Sequence, residues 1–244
     1  MCRFGEVYQM KADRDTPPFS RDVAKRTKRS RRAYVMCSPK NGFAEVRLES
    51  RLEQAVAQAL ELDPRVKTYR AQPYTVDLLS GQRLATQPAH REGATYTPDF
   101  AVTLDGLEVA LEVKPGAFLA SHAELFAQVR AVLCRQGTRF VVASEESLPG
   151  HYMRNIALLM PYLTQAPQAL EGWAAPLQQR PPEELTGTVA EVLAGLEPAN
   201  HHLAAGVLLG VLKVDLVQCL FEQMDFTLAP AFGALSAFEV IRYE

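Results

Sequence analysis

In the stretch YTPDFAVTLDGLEVALEVKPG, residues 96–116, the charged residues Asp99, Glu112 and Lys114 stand beside or within apolar runs. Between two apolar runs of this stretch stands Asp105-Gly106, a dipeptide that predicts a two-residue hairpin turn. Such a turn places Asp99 directly opposite Glu112, and Lys114 then projects from the same face of the strand pair. Opposed like charges destabilise a strand pair by about 0.2–1 kcal/mol. Packing alone therefore does not explain the two carboxylates.

A divalent cation between these carboxylates would remove the repulsion. Hard cations such as Mg²⁺ take oxygen ligands, commonly carboxylates, waters and substrate phosphates. Lys114 would then hold or deprotonate an attacking water and offset the charge that builds on a pentavalent phosphate. The residues therefore predict metal-assisted phosphodiester hydrolysis, with Mn²⁺ able to replace Mg²⁺. The alternative is an edge hairpin with solvated charges and an incidental ion pair between Glu112 and Lys114.

The elements around this hairpin follow from hydrophobic periodicity and capping residues. Ser50 predicts a helix N-cap with Glu53 three residues later, and Asp63-Pro64 predicts the end of that helix. Residues 1–47 show little periodicity and indicate an arm with one short strand. The other predicted elements are strands at 65–70 and 72–79, a polar loop at 80–94, a helix at about 118–136 and a buried strand at 139–144. This order predicts a mixed sheet with helices on its faces.

The composition predicts an ordinary globular chain. Its 244 residues, 48% hydrophobic and 22% charged, are enough for one large domain or two modest ones. No apolar run approaches the roughly 20 residues that span a bilayer, and the first residues lack the apolar core of a signal peptide. The four cysteines stand far apart, which favours reduced thiols. We therefore expect a cytoplasmic protein without a membrane partner.

Charge is unevenly distributed along the chain. Residues 150–244 hold four Lys and Arg against ten Asp and Glu, a net charge of −6, which leaves +4 for residues 1–149 given the total of −2. The positive charges include a run that reads KRTKRSRR: Lys25, Arg26, Lys28, Arg29, Arg31 and Arg32. This run is either a solvated arm or a DNA-binding segment that neutralises phosphates without reading sequence.

The C-terminal part has a different pattern. An amphipathic helix at residues 151–165 leads into a linker at 166–182 that is rich in Pro, Gln and Ala. Helices at about 183–195 and 200–210 and strands at 211–217 and 225–230 then follow, which is the outline of a small winged-helix domain. The second of these helices contains no Lys or Arg, and the region is acidic. Docking of a protein is therefore favoured over DNA reading by a basic recognition helix.

The motifs Pro98-Asp99 and Glu112-Val113-Lys114 resemble the core of the PD-(D/E)XK nucleases. Over about residues 45–165, the chain is also similar to the TnsA endonuclease subunits of heteromeric bacterial transposases. That family has a Ser-x-x-Glu helix, an Asp-Pro stop, a Gln-Pro strand and the nuclease hairpin in the same order. The rest of the chain matches only loosely.

The resemblance implies a fold and a site. The fold would be an α/β restriction-endonuclease-like mixed sheet flanked by helices in residues 1–164, followed by a winged-helix-like α+β domain in residues 165–244. Asp99, Glu112 and Glu53 would be catalytic and would ligate the metal, and Lys114 would assist the attacking water. Helical periodicity alone does not separate Glu53 from Glu49, and a capping-box role for Glu53 is the alternative.

The resemblance also implies a biological role. It predicts a bacterial Mg²⁺-dependent endonuclease that cuts double-stranded DNA at the 5′ ends of a transposable element. A DDE transposase, TnsB, would cut and join the 3′ ends, and an AAA+ ATPase, TnsC, would coordinate the two. The alternatives are a free-standing PD-(D/E)XK restriction or repair nuclease and a catalytically idle DNA-binding scaffold subunit.

Overall fold

The chain is described at residues 34–84 and 95–244 in a computed structural model. The basic run at residues 25–32 and most of the predicted polar loop lie outside the described residues. The strands in the described part are β1 (Tyr34–Ser38), β2 (Ala44–Leu48), β3 (Thr68–Ala71), β4 (Thr75–Asp77), β5 (Arg83–Leu84), β6 (Thr95–Tyr96), β7 (Phe100–Thr103), β8 (Glu108–Val113), β9 (Thr138–Ala143), β10 (Gly187–Thr188), β11 (Leu212–Lys213) and β12 (Thr227–Pro230). The helices there are α1 (Arg51–Leu62), α2 (Ala123–Cys134), α3 (Gly150–Gln165), α4 (Leu170–Gln178), α5 (Val189–Val192) and α6 (Ala199–Leu208).

The central sheet has the strand order β3-β7-β8-β9. The β3–β7 and β7–β8 pairs are antiparallel, and β8 runs parallel to β9. In the β7–β8 hairpin, Phe100 faces Leu111 and Val102 faces Val109, which confirms the predicted register. Gly106 supplies the positive φ of the turn, at 71°. The prediction of a mixed sheet is therefore confirmed.

Helices cover both faces of this sheet because the side chains of β8 alternate between two apolar clusters. Val109 and Leu111 pack into a cluster that contains the apolar face of α1. Ala110 packs into the other cluster, together with α2 and the small sheet of β5, β4 and β6. The chain is thus a mixed α/β protein with helices on the faces of a mixed sheet, as predicted.

The predicted caps of α1 are confirmed. The Ser50 side chain accepts a hydrogen bond from the Glu53 backbone N–H at 3.1 Å, and Asp63 ends the helix. The predicted helix at residues 151–165 is confirmed as α3, which contains Pro161 in its interior. None of the helices in the described residues has the length and apolarity that a membrane crossing requires.

Other predictions were wrong. Within the supposed N-terminal arm, β1 and β2 form an antiparallel hairpin, so two strands stand where one was expected. The predicted loop contains β5. The helix predicted from residue 118 begins at Ala123, after two short 3₁₀ turns, and Phe118, assigned to its apolar face, is 54% exposed.

The predicted linker at residues 166–182 contains α4, although Pro176 lies inside that helix. The helix predicted at 183–195 is reduced to a 3₁₀ turn, β10 and the four-residue α5. Strands β11 and β12 lie within the two predicted strand segments and pair antiparallel. The first strand, β10, pairs with the other side of β12, which gives the order β10-β12-β11.

The C-terminal part shares a core with the N-terminal part. One apolar cluster runs from β1 through α1, β7 and β8 to α6, β12 and the last residues of the chain. The final segment returns to the start of the fold, where Arg65 donates to the Ile241 carbonyl at 2.9 Å and the Tyr243 hydroxyl donates to Asp63 at 3.1 Å. Asp63 itself is fully buried. The last residues therefore complete the packing around the end of α1.

Asn155 of α3 also joins the two parts. Its amide donates to the carbonyls of Leu216 and Cys219 at 2.8 and 2.7 Å, and its carbonyl oxygen accepts from the Phe221 N–H at 2.8 Å. The residue is fully buried. Its loss would leave one donor and two acceptors buried without their partner, and each such group costs about 1–3 kcal/mol.

We therefore expect Asn155→Ala to lower the free energy of unfolding by about 3–5 kcal/mol. Urea denaturation measures this change. Circular dichroism monitors unfolding of the whole chain, and fluorescence of Trp173, the single tryptophan, monitors unfolding of the C-terminal part. Because the core is continuous, the two signals should change together. Thr164→Ala, which removes only a bond to Met160 within the same helix, is the matched control. Separate transitions, or a loss below 1 kcal/mol, would contradict the shared core.

Candidate functional site

Asp99 stands one residue before β7 and is fixed by bonds to both neighbouring segments. The backbone N–H of Val113, on β8, donates to Asp99 Oδ2 at 2.7 Å. The Asp99 carbonyl accepts from the Gln72 N–H at 2.7 Å. Gln72 is buried and has a left-handed backbone, with φ of 45°, at the end of β3. These contacts hold the Asp99 carboxylate beside the end of β8.

Glu112 lies near the end of β8 and is only 6% exposed. The Tyr96 hydroxyl donates to its Oε2 at 2.6 Å, and the Lys114 ammonium lies 3.2 Å from its Oε1. Both hairpin strands have a neighbour on each side, so the alternative of an edge hairpin with solvated charges is wrong. The ion pair between Glu112 and Lys114 that the same alternative named is present.

Glu53 belongs to the first turn of α1 and is buried. Its Oε2 accepts from the Glu49 N–H at 2.8 Å, and its Oε1 accepts from the Ser50 hydroxyl at 2.9 Å, so the capping role is present. Its negative charge also acts on Asp99 and Glu112. Glu53 is therefore both a cap and a neighbour of the carboxylate pair, whereas Glu49 precedes the helix.

The two faces of the hairpin separate these carboxylates. Glu112 shares the face of Ala110, the side of α2, because side chains alternate along a strand. Its contact with Tyr96, which packs in the α2-side cluster, agrees with this placement. Glu53 comes from α1 on the opposite side, at the end of the strands. The structure thus brings Asp99, Glu112 and Lys114 together most closely, with Glu53 approaching from the other layer.

Burial and mutual repulsion dominate the electrostatics. Burial raises the pKa of Asp99 well above its usual value, the charges of Glu112 and Glu53 raise it further, and the Val113 hydrogen bond and Lys114 oppose the shift. Burial likewise raises the pKa of Glu53. The pKa of Tyr96 is raised by burial and by Glu112, so this hydroxyl stays a neutral donor. Asp99 therefore keeps its proton to a higher pH than an exposed carboxyl does.

The donor set fits a hard divalent cation. Carboxylate oxygens are the ligands that Mg²⁺ prefers, and a cation would relieve the repulsion from Glu112 and Glu53 that adds to burial in raising the pKa of Asp99. In the described part of the chain, however, no three His, Cys, Asp or Glu side chains already form a group that could hold a metal ion. The carboxylates instead accept protein hydrogen bonds, for example from Tyr96 and Ser50.

The raised pKa of Asp99 predicts a pH dependence of stability. The folded chain keeps this proton to a higher pH than the unfolded chain, in which the pKa lies near 3.8. The free energy of unfolding should therefore fall as pH rises from about 4 through the raised pKa. Asp99→Asn removes this titration and keeps an acceptor for the Val113 N–H, so its stability should depend less on pH. Urea denaturation in EDTA across that range measures both proteins, and equal slopes would contradict the raised pKa.

Sequence reasoning overlooked Tyr96. Tyr96 precedes Asp99 by three residues. The signal in the sequence was an aromatic residue with a hydroxyl in a short buried strand, near a carboxylate that needs a hydrogen-bond donor.

The proposed DNA-binding residues 25–32 lie outside the described residues. A cleft of about 1380 Å³ runs along the edge strand β9, between α2 and the final segment, and none of the proposed site residues lines it.

Comparisons with known proteins give no information about this site. No protein-family model matches this chain. No curated protein matches it either. The carboxylate pair, its lysine and the helix glutamate therefore carry the functional argument.

Proposed function

We propose that this chain is a metal-dependent DNA endonuclease of the TnsA type. The observation that supports it most is the position of Asp99 beside the buried Glu112 at the end of an internal hairpin, where Asp99 accepts from the Val113 N–H and Lys114 lies 3.2 Å from Glu112. Burial raises the pKa of Asp99, and the charges of Glu112 and Glu53 raise it further. An ion pair between Glu112 and Lys114 alone would not require this second carboxylate. A site built for a cation explains why the repulsion is kept.

Asp99 and Glu112 would hold Mg²⁺ or Mn²⁺, with Glu53 as the third carboxylate. When bound, the cation would polarise a phosphate oxygen and neutralise charge on the phosphate. In phosphodiester hydrolysis, the oxygen of water forms a bond to phosphorus, the bond from phosphorus to the leaving strand breaks, and the leaving oxygen takes up a proton. The residues of the chain must therefore orient the water and manage its proton.

Lys114 is suited to that task because it stands at the rim of the site. Its side chain is 27% exposed, whereas that of Glu112 is 7% exposed. The ammonium would hold the attacking water and offset charge on the phosphate. Tyr96 would keep Glu112 oriented by donating to Oε2, which leaves Oε1 directed toward Lys114. Tyr96 is thus a positioning residue in this proposal.

The C-terminal part supports a docking role. Helix α6 followed by the antiparallel β11–β12 pair supports the proposal of a small winged-helix-like domain after a restriction-endonuclease-like sheet, whereas α4 and β10 were not part of the predicted outline. All ten acidic side chains of residues 150–244 are exposed. A surface of this charge would repel DNA. We propose that it docks a partner of the transposition machinery, the ATPase TnsC or the transposase TnsB, while residues 25–32 contact the DNA backbone at the element's 5′ ends.

Two alternatives remain distinct from this proposal. A free-standing restriction or repair nuclease would have the same site without the partners. A catalytically idle DNA-binding scaffold subunit is favoured by the hydrogen bonds that already occupy the carboxylates, such as those from Tyr96 and Val113. Strand cleavage separates the idle protein from the other two.

The deciding experiment is cleavage of transposon-end DNA by the whole chain with Mg²⁺ or Mn²⁺, with and without a DDE transposase and an AAA+ ATPase encoded beside its gene. We expect nicks at the 5′ ends of the element that depend on metal and increase with the partners. Equal cleavage of any DNA without the partners would favour the free-standing nuclease. No cleavage under any of these conditions would overturn the enzyme proposal.

A further inference from the structure

Phe118 is an aromatic side chain that the proposed mechanism does not use. It lies between β8 and α2 and is 54% exposed. Its backbone is held on both sides, because its N–H donates to the Pro115 carbonyl at 2.9 Å and its own carbonyl accepts from the Ser121 hydroxyl at 2.9 Å. His122 Nδ1 also lies 2.9 Å from that carbonyl. The fold thus fixes the backbone of an exposed ring.

The segment that carries Phe118 leaves the sheet at the same end as the carboxylates. Strands β8 and β9 are parallel, so their carboxyl ends lie together, and the Lys114 N–H donates to the Ala143 carbonyl at 2.9 Å. The segment after Lys114 is attached there, with the Gly116 N–H donating to Glu145 at 2.9 Å. Phe118 lies four positions after Lys114, so their Cα atoms are at most about 14 Å apart.

Residues 115–123 could bind a nucleic acid by stacking on a base but not by neutralising its charge. Residues 115–123 contain no Lys or Arg, so they cannot neutralise phosphates as residues 25–32 would. The ring of His122 is stacked on Phe126 at 5.6 Å and is not available to a base. Phe118 is left as the exposed ring of this segment. Aromatic side chains that stack on an unpaired base contribute binding in a way that tolerates any sequence.

We propose that Phe118 stacks on an unpaired base of the DNA strand next to the scissile phosphate and so positions that strand at the carboxylate site. This inference rests on the proposed endonuclease function. It further specifies the substrate of that endonuclease as DNA with an unstacked base beside the cut. Binding of such DNA should then depend on the ring of Phe118.

The test uses the whole chain and a DNA duplex with a short single-stranded gap that carries 5-iodouracil, with Ca²⁺ in place of Mg²⁺. Affinity is measured by titration, and photo-crosslinked peptides are identified by mass spectrometry. We expect wild-type protein to crosslink at Phe118 and Phe118→Ala to bind about 10–100-fold more weakly. Phe118→Trp should bind as wild type does, and Phe118→Leu should bind as weakly as the alanine variant. Phe232→Ala removes a 79% exposed ring from the C-terminal part and is the matched control, expected to bind as wild type does.

The outcomes separate this inference from the proposed function. If wild-type protein binds and cleaves DNA while Phe118→Ala binds the gapped duplex equally well, the stacking role is overturned and the endonuclease proposal stands. Wild-type binding by Phe118→Leu would also overturn stacking, since apolar bulk would be sufficient. Failure of the wild-type chain to bind either gapped or intact DNA would overturn both.

Discussion

Asp99→Ala is expected to abolish metal-dependent strand cleavage. Asp99 lies beside Glu112 at the end of the hairpin, and in the proposed site its loss would remove both a metal ligand and the repulsion that a metal would relieve. Even groups that only support a metal ligand contribute about 10–100-fold to metal affinity or activity, so the loss of a direct ligand should exceed about 100-fold. A gel assay of nicked transposon-end DNA, run with the partner proteins present, measures the effect.

The same variant should lose stabilisation by metal. For wild-type protein, Mg²⁺ or Mn²⁺ at about 100 times its Kd adds about 2.7 kcal/mol to the free energy of unfolding. For a chain of this size that corresponds to an increase of about 5–11 °C in Tm. Asp99→Ala should show almost none of this increase. Without metal, its Tm should not fall far, because relief of the repulsion with Glu112 offsets the lost bond from Val113.

Asp99→Asn serves as a control for folding, because its amide oxygen can still accept from the Val113 N–H. It should behave as the alanine variant does in cleavage and in metal-dependent Tm. An Asp99→Ala or Asp99→Asn protein that cuts DNA at the wild-type rate would exclude the carboxylate pair as the site. Loss of cleavage with an unchanged metal-dependent Tm would instead place the metal elsewhere.

Lys114→Ala should reduce cleavage by about 100- to 1000-fold while metal binding persists. The substitution removes the positive charge next to the scissile phosphate and leaves the carboxylates in place. The increase of Tm with Mg²⁺ should therefore stay close to that of wild type. Single-turnover cleavage rates and thermal unfolding with and without Mg²⁺ check the two halves of this expectation.

Lys114→Arg tests the chemical role of the ammonium. Arginine keeps the positive charge, but its planar group stays protonated and cannot accept the proton of water. Cleavage by Lys114→Arg that stays far below wild type would indicate proton transfer, whereas near-complete recovery would indicate a role for charge alone. If Lys114→Ala lost the metal-dependent Tm increase as completely as Asp99→Ala, Lys114 would be a structural partner of Glu112 and the catalytic assignment would be wrong.

Local signals were sufficient to predict the centre of the fold. Asp105-Gly106 sets the register of the hairpin, and the side chains of a strand alternate, so the opposition of Asp99 and Glu112 followed from the turn alone. The ends of α1 could be predicted because Ser50 and Asp63 act through bonds to nearby backbone groups. In each case the residues that decide the structure are close in sequence.

Elements that depend on distant contacts could not be predicted in this way. Proline favoured a linker at residues 166–182, yet α4 forms there because Leu170, Ala174 and Leu177 are buried in the shared core. The start of α2 was placed too early because Phe118 fits helical spacing, although its ring is exposed. Periodicity identifies apolar positions but not the surface that covers them.

The details of the site could not be predicted either, because they also depend on contacts between residues that are distant in sequence. The bond from Tyr96 to Glu112 joins residues on different sheets, and no local spacing indicates it. Helical periodicity also left Glu49 and Glu53 equivalent, whereas in the fold Glu49 lies before the helix and Glu53 in its first turn. Whether Glu53 serves as a ligand is a prediction that depends on the resemblance and on its charge beside Asp99.

The contact between Tyr243 and Asp63 has a consequence for folding during synthesis. The two residues are 180 positions apart, and Asp63 is fully buried in the finished protein. At about 5–20 residues per second, a ribosome needs roughly 10–35 s to reach Tyr243 after making Asp63. During that interval the carboxylate can be shielded by Arg65, whose guanidinium donates to both of its oxygens, and by the nearby charge of Lys40. The nascent N-terminal part is therefore expected to remain incompletely closed, and open to chaperones, until the segment that carries Tyr243 has left the ribosome.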